Sequence, residues 1–491
     1  MSVFSDLYDR KYLVQCLLSF ALVFGLMKGT GGAGFGVAAL FVIYGLLNRK
    51  LELLFFWLLV AICAIIINPN VVTKGGIFAL EQRGLMVSLG LCMAAQMLSS
   101  ASHRVMKPYL GMFAYLAVAL FSSFQGWCPQ ISLMKLFLFF LIYCAYFGVT
   151  NQVGMSNRVS TRKIRSVMLS VAILFTFGSI ALVPFPGLSQ LKGDEVKNAV
   201  EFTSLFMGMT NHSQCLGPTI SSIAVVVFAD LLFSIKKWDP LYLLILACCP
   251  YLIYMTSSRT GMGAFILGMM FVVYVFMLAR GVGSRWKQKA MSAIMLAGVV
   301  LLGVVVAMPG FREGAAKFAL KTAGKGTKVT KEGMMSSRQG LIDKALYWFR
   351  QSPLIGNGFQ VSANMEGMKV SIFQLSAPIE KGVWVTAVLE ETGVIGWLVF
   401  VSFLTSAIIL SVKRKAYTGA SCLFVCTLTN LGEFTFFSMS YTGGFTWGMV
   451  FVGLALDLRK LKDVQAEKRR QQQMALQMGG LPPPPPWQQP F

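Results

Sequence analysis

The stretch Leu389–Gly396, LEETGVIG, stands where the longest polar loop of the chain gives way to an apolar run that continues to residue 411. The loop before it covers residues 309–383 and contains the sequence SPLIGNGF at Ser352–Phe359. Most of the remaining chain is apolar. A polar loop of this length has to lie in water at one side of an apolar structure, so we expect the chemistry of the protein there.

The composition is that of a membrane protein. Of 491 residues, 56% are hydrophobic and only 13% are charged, and the mean hydropathy is +0.66. Soluble domains carry about 25% charged residues. Repeated apolar runs of about 15–20 residues must satisfy their backbone hydrogen bonds internally, and this favours helices. The sequence therefore predicts an all-α polytopic membrane protein, whose first apolar run is a span and not a cleaved signal peptide.

About fourteen membrane spans are predicted. Residues 1–204 are interpreted as N-terminal membrane helices, 205–457 as a catalytic membrane region with its outer loop at 309–383, and 458–491 as a disordered, Pro-rich cytoplasmic tail. Within the loop, Ser336 or Ser337 is predicted to cap an amphipathic helix that ends near Gln351, before Ser352-Pro353. The spans are placed near 12–27, 33–48, 52–67, 85–99, 108–124, 131–149, 165–184, 217–235, 241–254, 260–280, 290–308, 384–411, 417–437 and 443–457.

The net charge of +23 does not indicate nucleic-acid binding, because no nucleic-acid motif is present. Most basic residues lie between apolar runs, where they set the orientation of the membrane spans. The short basic clusters fall on one side if the spans alternate, so both termini are predicted to be cytoplasmic and the long loop to face outward. Those clusters are Arg158–Arg165, Lys236-Lys237, Arg280–Lys289, Lys413–Lys415 and Arg459–Lys462. The ten cysteines show no metal-ligand spacing and are interpreted as packing residues, with a Cys128–Cys215 disulfide as the weaker alternative.

Two polar clusters stand at predicted outer span boundaries. His212 lies in TNHSQCLGP at Thr210–Pro218, where polar groups entering a membrane helix suggest a wet cavity. Arg259 lies in TSSRTGMG at Thr256–Gly263. Its guanidinium is either a snorkelling anchor or a bidentate phosphate ligand, and the lack of other basic residues in that short loop favours the phosphate.

Four further residues are candidates for the same outer face. Arg338 stands near the start of the predicted loop helix, where amide N–H groups also favour an anion, so Arg259, Arg338 and Lys381 are predicted to surround a diphosphate. Glu433 is an intramembrane carboxylate, and Glu380 is a loop carboxylate before the LEETGVIG span. Glu390 and Glu391 are the other outward-side carboxylates near this region, with the edge of that span as their alternative interpretation.

In these pieces the chain resembles the O-antigen ligase/polymerase superfamily of polytopic membrane glycosyltransferases, over roughly residues 205–455. The resemblance rests on Ser258–Gly261, on Arg338 to Gly358 with Trp348, on Leu389–Gly396, on Asn211–Gly217 and on the Glu433 span. It implies a GT-C-like membrane fold and a donor made of an oligosaccharide on a polyprenyl diphosphate. No metal or nucleotide cofactor is implied, since the donor already carries its leaving group.

The resemblance has one departure. Many members carry His-Asn just before the span that contains the Glu-Thr-Gly-like motif, whereas this chain reads Glu380-Lys381-Gly382. That version is more similar to the exopolysaccharide polymerases of the superfamily and leaves the general base open, with Glu380 preferred and His212 or Glu433 as alternatives.

We therefore interpret the protein as an inverting, metal-independent polymerase of lipid-linked repeat units in the bacterial inner membrane. Its catalytic residues are predicted to be Arg338, Glu380, His212 and Glu433. The alternatives are a ligase that transfers a finished glycan to lipid A core or protein, and a lipid-oligosaccharide flippase or transporter. The bilayer and the lipid-linked oligosaccharide are the expected partners, with a chain-length regulator or a flippase as further candidates.

Overall fold

A computed structural model gives the fold as an assembly of α-helices. It describes residues 7–30, 33–48, 50–72, 102–156, 159–190, 206–234, 239–256, 258–280, 331–362, 381–432, 434–438 and 442–477, and in these ranges no β-strand is formed apart from isolated bridges. The helices are α1 Arg10–Thr30, α2 Ala33–Leu47, α3 Leu51–Ile66, α4 Gly111–Gln125, α5 Pro129–Met155, α6 Thr161–Ala181, α7 Pro186–Ser189, α8 Ser213–Ser234, α9 Pro240–Met255, α10 Arg259–Arg280, α11 Lys331–Gln351, α12 Trp384–Lys413, α13 Tyr417–Thr429 and α14 Thr442–Gln477.

Seven helices in the described ranges are long and apolar enough to cross a membrane, and three shorter apolar helices accompany them. The prediction of an all-α polytopic membrane protein is confirmed. The count of fourteen spans stays a prediction, because the spans placed near 85–99 and 290–308 lie outside the described residues.

Aromatic side chains pack between the inner helices. α14 packs against α13, α5 and α8, while α10 packs against α8 and α13. Tyr143 of α5 meets Trp447 and Phe451 of α14, each with ring centroids 5.5 Å apart. The Trp447 indole N–H donates to the Phe436 carbonyl at 2.9 Å, so the large ring is buried without an unpaired polar atom.

Buried charged side chains join several helices at one end of the bundle. Asp230, near the end of α8, is fully buried and accepts from Arg165 Nε at 2.9 Å and from the Tyr242 hydroxyl at 2.7 Å. Lys460 Nζ lies 3.1 Å from the same carboxylate. Because these partners come from the starts of α6 and α9 and from α14, one carboxylate joins four helices. We call this the basic end, since Arg10, Lys163, Lys413 and Lys462 lie here too.

The opposite end carries the starts of α5, α8, α10, α12 and α14 and the ends of α4, α9 and α13. This follows from the alternation of the helices, and it is the end at which the predicted site residues Arg259, His212 and Lys381 lie. The prediction that these residues share one face is therefore supported by the fold, although the fold does not state which side of a membrane that face meets.

Two local predictions are wrong. α11 is already helical at Lys331, so Ser336 and Ser337 lie inside the helix and do not cap it; Lys, Glu and Met are good helix formers and extend it. α14 continues to Gln477, so the segment 458–477 is helical and not disordered, because it is rich in Lys, Arg, Glu and Gln and lacks Gly and Pro. Cys128 and Cys215 are buried and are not joined by a disulfide, in keeping with their interpretation as packing residues.

We expect Asp230→Ala to destabilise the bundle by about 3–5 kcal/mol, because it removes the buried carboxylate that pairs with the Arg165 guanidinium and leaves the Lys460 ammonium only the more distant Asp457 at 3.7 Å. Thermal unfolding of the purified protein in detergent measures this. Asp343→Ala is the matched control, since Asp343 is exposed on α11, and it should stay within about 0.5 kcal/mol. Equal melting temperatures for the two variants would show that the buried cluster is dispensable.

Candidate functional site

The LEETGVIG segment contains a break in α12. Gly393 adopts φ 64° and ψ −169°, far from helical values, and interrupts the hydrogen-bond ladder between the first turns of α12 and its long apolar body. A helix broken in this way leaves carbonyl and N–H groups without their i−4 partners, and inside a membrane protein those groups have to be satisfied.

The SPLIGNGF loop satisfies them by an exchange of backbone hydrogen bonds. The N–H groups of Asn357 and Gly358 donate to the carbonyls of Glu390 at 2.9 Å and Glu391 at 3.1 Å. In return, the N–H groups of Val394 and Ile395 donate to the carbonyls of Pro353 at 2.8 Å and Leu354 at 3.3 Å. Two of the motifs that carry the resemblance are therefore bonded to one another through their main chains. We call this arrangement the loop–helix junction.

Glycines allow the two backbones to approach. A Cβ on Gly356 would lie 2.4 Å from the Glu391 carbonyl carbon, and a Cβ on Gly393 would lie 2.3 Å from the Leu354 carbonyl oxygen. Gly356 also has φ 82°, a conformation that L-residues with a side chain rarely adopt. The turn predicted from Gly356 and Gly358 is thus present.

Residues of α4, of α5 and of the turn between them also bond to the junction. Ser122 donates its hydroxyl to the Glu391 carbonyl and accepts from the Gly358 N–H at 3.0 Å. Ser132 donates to the Phe359 carbonyl at 2.9 Å. Trp127 donates its backbone N–H to Asn357 and packs edge-on against Trp348 of α11, with ring centroids 4.9 Å apart. The SPLIGNGF loop therefore connects α11 to both α12 and α4.

Buried charges lie beside the junction. Lys381 Nζ lies 3.3 Å from Glu390 Oε1 and 3.2 Å from Glu391 Oε1, and all three residues are at most 4% exposed. Lys135 of α5, also 4% exposed, donates to the Gln360 carbonyl at 3.2 Å. Burial lowers the pKa of Lys381, but the Coulombic attraction of Glu390 and Glu391 outweighs this and leaves the pKa raised above its ordinary value. Lys381 therefore stays protonated.

A second cluster forms where α8 and α10 begin. Ser221 donates its hydroxyl to the Gly261 carbonyl at 2.7 Å, and Gly217 and Gly261 are in close backbone contact. Gly432, after α13, lies directly against Thr260, with no room for a Cβ. This close packing holds the start of α10, with Arg259, against the turn after α13.

Backbone bonds connect the two clusters. The Phe434 N–H donates to the Gly382 carbonyl at 3.0 Å, and the Trp384 N–H donates to the Asn430 carbonyl at 3.1 Å. The segment Lys381–Trp384 thus lies between the loop–helix junction and the turn that touches α10. The site is one continuous network of contacts that joins α4, α5, α8, α10, α11, α12 and α13.

The predicted residues can now be located. Arg259 is the first residue of α10 and is partly buried. His212 precedes α8, and its Nδ1 accepts the Gln214 N–H at 3.1 Å. Arg338 belongs to α11, about ten residues or ~15 Å of helix before Trp348, but its side chain lies outside the described residues, as do Glu380 and Glu433.

Sequence reasoning missed two members of the site, Lys135 and Ser122, and gave no role to two others. Glu390 and Glu391 were noted as outward-side carboxylates or a span edge, without their pairing to Lys381. The available signal was the ionisable residues themselves: adjacent carboxylates in an apolar run and a lysine within the predicted span 131–149 are costly in a bilayer unless they meet partners. In the described ranges no three His, Cys, Asp or Glu side chains are placed to hold a metal ion.

We expect Gly393→Ala to disrupt the junction, because the added Cβ would meet the Leu354 carbonyl and the backbone conformation is strained for alanine. Cleavage of the 353–361 loop by a protease should accelerate, and unfolding should occur at lower temperature. Gly340→Ala on α11, where a Cβ has open space, should be neutral or stabilising by up to ~1 kcal/mol. Unchanged protection of the loop in the Gly393 variant would contradict the role of the junction.

Residues 241–401 match a family model described as O-antigen ligase. That match begins at α9 and ends in the body of α12, so it contains Arg259, α11, the SPLIGNGF loop and the α12 break. Comparison with curated proteins gives no significant match. The resemblance predicted from the sequence is confirmed for this part of the chain: residues 241–401 of this polytopic membrane protein match the O-antigen ligase family model, consistent with the O-antigen ligase/polymerase superfamily.

Proposed function

We propose that the protein is a membrane glycosyltransferase that polymerises oligosaccharide repeat units carried on a polyprenyl diphosphate. The observation that carries this proposal is the convergence, within and around the O-antigen ligase domain, of Arg259, the Lys381 segment and α11 at one end of the bundle. A lipid-linked donor needs a site of this kind, in which the diphosphate meets cations at the membrane boundary while the lipid remains in the bilayer.

Arg259 is the proposed principal diphosphate ligand. As the first residue of α10 it combines a guanidinium with the N-terminal end of a helix, and both favour an anion. Arg338 is the proposed second ligand, brought toward the site by α11. Such cations bind the substrate and also stabilise the charge that grows on the leaving diphosphate in the transition state.

Lys381 is better suited to another task than the diphosphate contact predicted from the sequence. Its ammonium is buried and already faces two carboxylates. We propose that it holds Glu390 and Glu391 in place beside the junction, so that its neighbour Glu380 is presented from a fixed segment.

The proposed reaction is an inverting transfer that requires no metal. The acceptor hydroxyl attacks the anomeric carbon, the bond from that carbon to the diphosphate oxygen breaks, and the hydroxyl proton passes to a base. Glu380 is the proposed base because it stands directly before the anchored Lys381, with His212 and Glu433 as the alternatives. Polymerisation is preferred to ligation because Glu380-Lys381-Gly382 stands where many members carry His-Asn.

The proposed location is the bacterial inner membrane, with the basic end and both termini in the cytoplasm. Basic residues concentrate at the end that carries Arg165 and Lys460, as the positive-inside rule requires of cytoplasmic loops. The site then faces outward, where a flippase delivers the lipid-linked unit and a chain-length regulator is a fitting partner.

We expect Arg259→Ala to reduce polymer formation from a purified lipid-linked repeat unit by about 100-fold or more, as the loss of a transition-state charge contact does. Arg259→Lys should retain part of the activity, and Lys413→Ala, at the exposed basic end of α12, should retain all of it. Electrophoresis of the glycan product measures chain length and yield. Undiminished polymer from Arg259→Ala would remove this residue from the reaction.

The same assay separates the alternatives. Consumption of a preformed lipid-linked polymer on addition of a lipid or protein acceptor, with no growth of the repeat ladder, would indicate a ligase. Movement of the lipid-linked unit across a vesicle membrane without any change in its covalent structure would indicate a transporter.

We expect Lys381→Met to cost about 3–5 kcal/mol, because Glu390 and Glu391 lose their buried ammonium. Acidic pH, which neutralises carboxylates, should recover part of the stability, and so should the double variant Lys381→Met/Glu390→Gln. In the wild type stability also falls with rising pH, but in another pH range: the raised pKa of Lys381 means that its contribution is complete below pH about 10 and is lost as pH rises further. Melting curves at several pH values measure this, and a pH-independent Lys381→Met variant would contradict the pairing.

A further inference from the structure

A cavity at the basic end lies far from the proposed reaction. It has a volume of about 410 Å³ and lies between the starts of α1, α3 and α6 and the end of α2. Both the O-antigen ligase domain and the loop–helix junction are built from other parts of the chain, so the glycosyltransferase proposal gives this cavity no task.

The charges that line the cavity favour an anion. Lys11, Lys50 and Lys163 supply three ammonium groups against the carboxylates of Asp9 and Glu52. Glu52 is already paired with Lys163 at 2.8 Å, and the Asp9 carboxylate accepts the Tyr12 backbone N–H at 3.0 Å. The exposed ammonium groups of Lys11 and Lys50 then remain the dominant charges at the wall.

A buried hydroxyl in the same wall supplies a second and independent observation. The Tyr12 hydroxyl oxygen is buried and makes no hydrogen bond within the described part of the chain. An unpaired buried hydroxyl is costly, and a ligand oxygen in the cavity would satisfy it. Lys50 donates to the Tyr44 hydroxyl at 2.7 Å, so a second tyrosine fixes the direction of one ammonium.

The surface below the cavity is suited to acyl chains. On α1, Val14, Leu18 and Leu22 are 53%, 63% and 50% exposed and lie four residues apart, so they form one apolar stripe that starts within a turn of Lys11. On α2, Leu40, Ile43 and Leu47 form a similar exposed stripe that ends near Lys50. Both stripes point from the cavity toward the middle of the bundle.

We propose that this cavity binds the phosphate headgroup of an anionic phospholipid, with its acyl chains along the stripes of α1 and α2. Basic pockets between membrane helices at the cytoplasmic face are suited to such headgroups. The stripes favour a lipid over a soluble phosphate, because a free phosphate would leave them unused. The bound lipid would join α1 and α2 to α3 and α6 at a point where the described helices leave an opening.

The test uses the full-length protein in nanodiscs that contain equal amounts of phosphatidylglycerol and phosphatidylcholine. Native mass spectrometry after detergent release counts retained lipids, and a melting curve reports stabilisation. The wild type should retain phosphatidylglycerol selectively and melt at higher temperature with it than with phosphatidylcholine alone. Lys11→Ala/Lys50→Ala should weaken this binding roughly thirtyfold, at about one kcal/mol for each lysine.

Two further variants test whether the effect is specific to the cavity. Lys413→Ala/Lys468→Ala removes the same charge from exposed positions outside the cavity and should bind like the wild type. Tyr12→Phe keeps the ring and removes the hydroxyl, and it should weaken binding about tenfold. Because Tyr12→Phe leaves every lysine in place, it tests the site even if the double lysine variant fails to fold.

Three results would overturn the proposal: equal retention of the two lipids by the wild type, equal phosphatidylglycerol binding by both double lysine variants, and stabilisation by inorganic phosphate as strong as that by phosphatidylglycerol. The last result would assign the cavity to a soluble phosphate. None of these measurements depends on glycan transfer, so the outcome is independent of the proposed function.

Discussion

The structure of the site depends on an exchange of four backbone hydrogen bonds between the SPLIGNGF loop and the break in α12. Two carbonyls and two N–H groups that an unbroken helix would pair internally are paired instead with a loop of the same chain. In a low-dielectric interior each unpaired group would cost free energy comparable to a lost hydrogen bond. The break is therefore stable only with the loop in place, and the loop holds its shape only against the break.

This mutual dependence explains how a polar loop becomes a fixed part of a membrane protein. Helix α11 is joined to the loop through the Asn357 side chain, which donates to the Trp348 carbonyl at 2.9 Å. The segment with Lys381 is joined to the other side of the break by its contact with Glu390 and Glu391. Residues about fifty positions apart in the chain are thus held around one helix defect. A surface loop held only by side-chain contacts would not position charged groups with comparable accuracy.

Much of the fold could be predicted from the sequence because a bilayer restricts the possibilities. Apolar runs have to form helices, and the runs at 131–149, 165–184 and 241–254 appear as α5, α6 and α9, each a few residues longer or displaced at the ends. Pro353 correctly predicted the end of α11, and the Gly356–Gly358 pair correctly predicted a turn. Local chemistry decides these features, so the sequence is sufficient for them.

The pairing of distant segments could not be predicted in the same way. Gly393 is one small residue in an apolar run, and nothing in its neighbours states that the helix breaks there. The partner of Lys381 was expected to be a diphosphate because its cationic charge was visible in the sequence, while Glu390 and Glu391 looked like a helix edge. Only the fold brings these charges within 3.3 Å. A cation in a membrane sequence therefore indicates an anionic partner, but it does not state whether that partner is a substrate or the protein itself. For Arg259 the substrate is the proposed partner, because this residue begins α10 and the N-terminal end of a helix favours an anion.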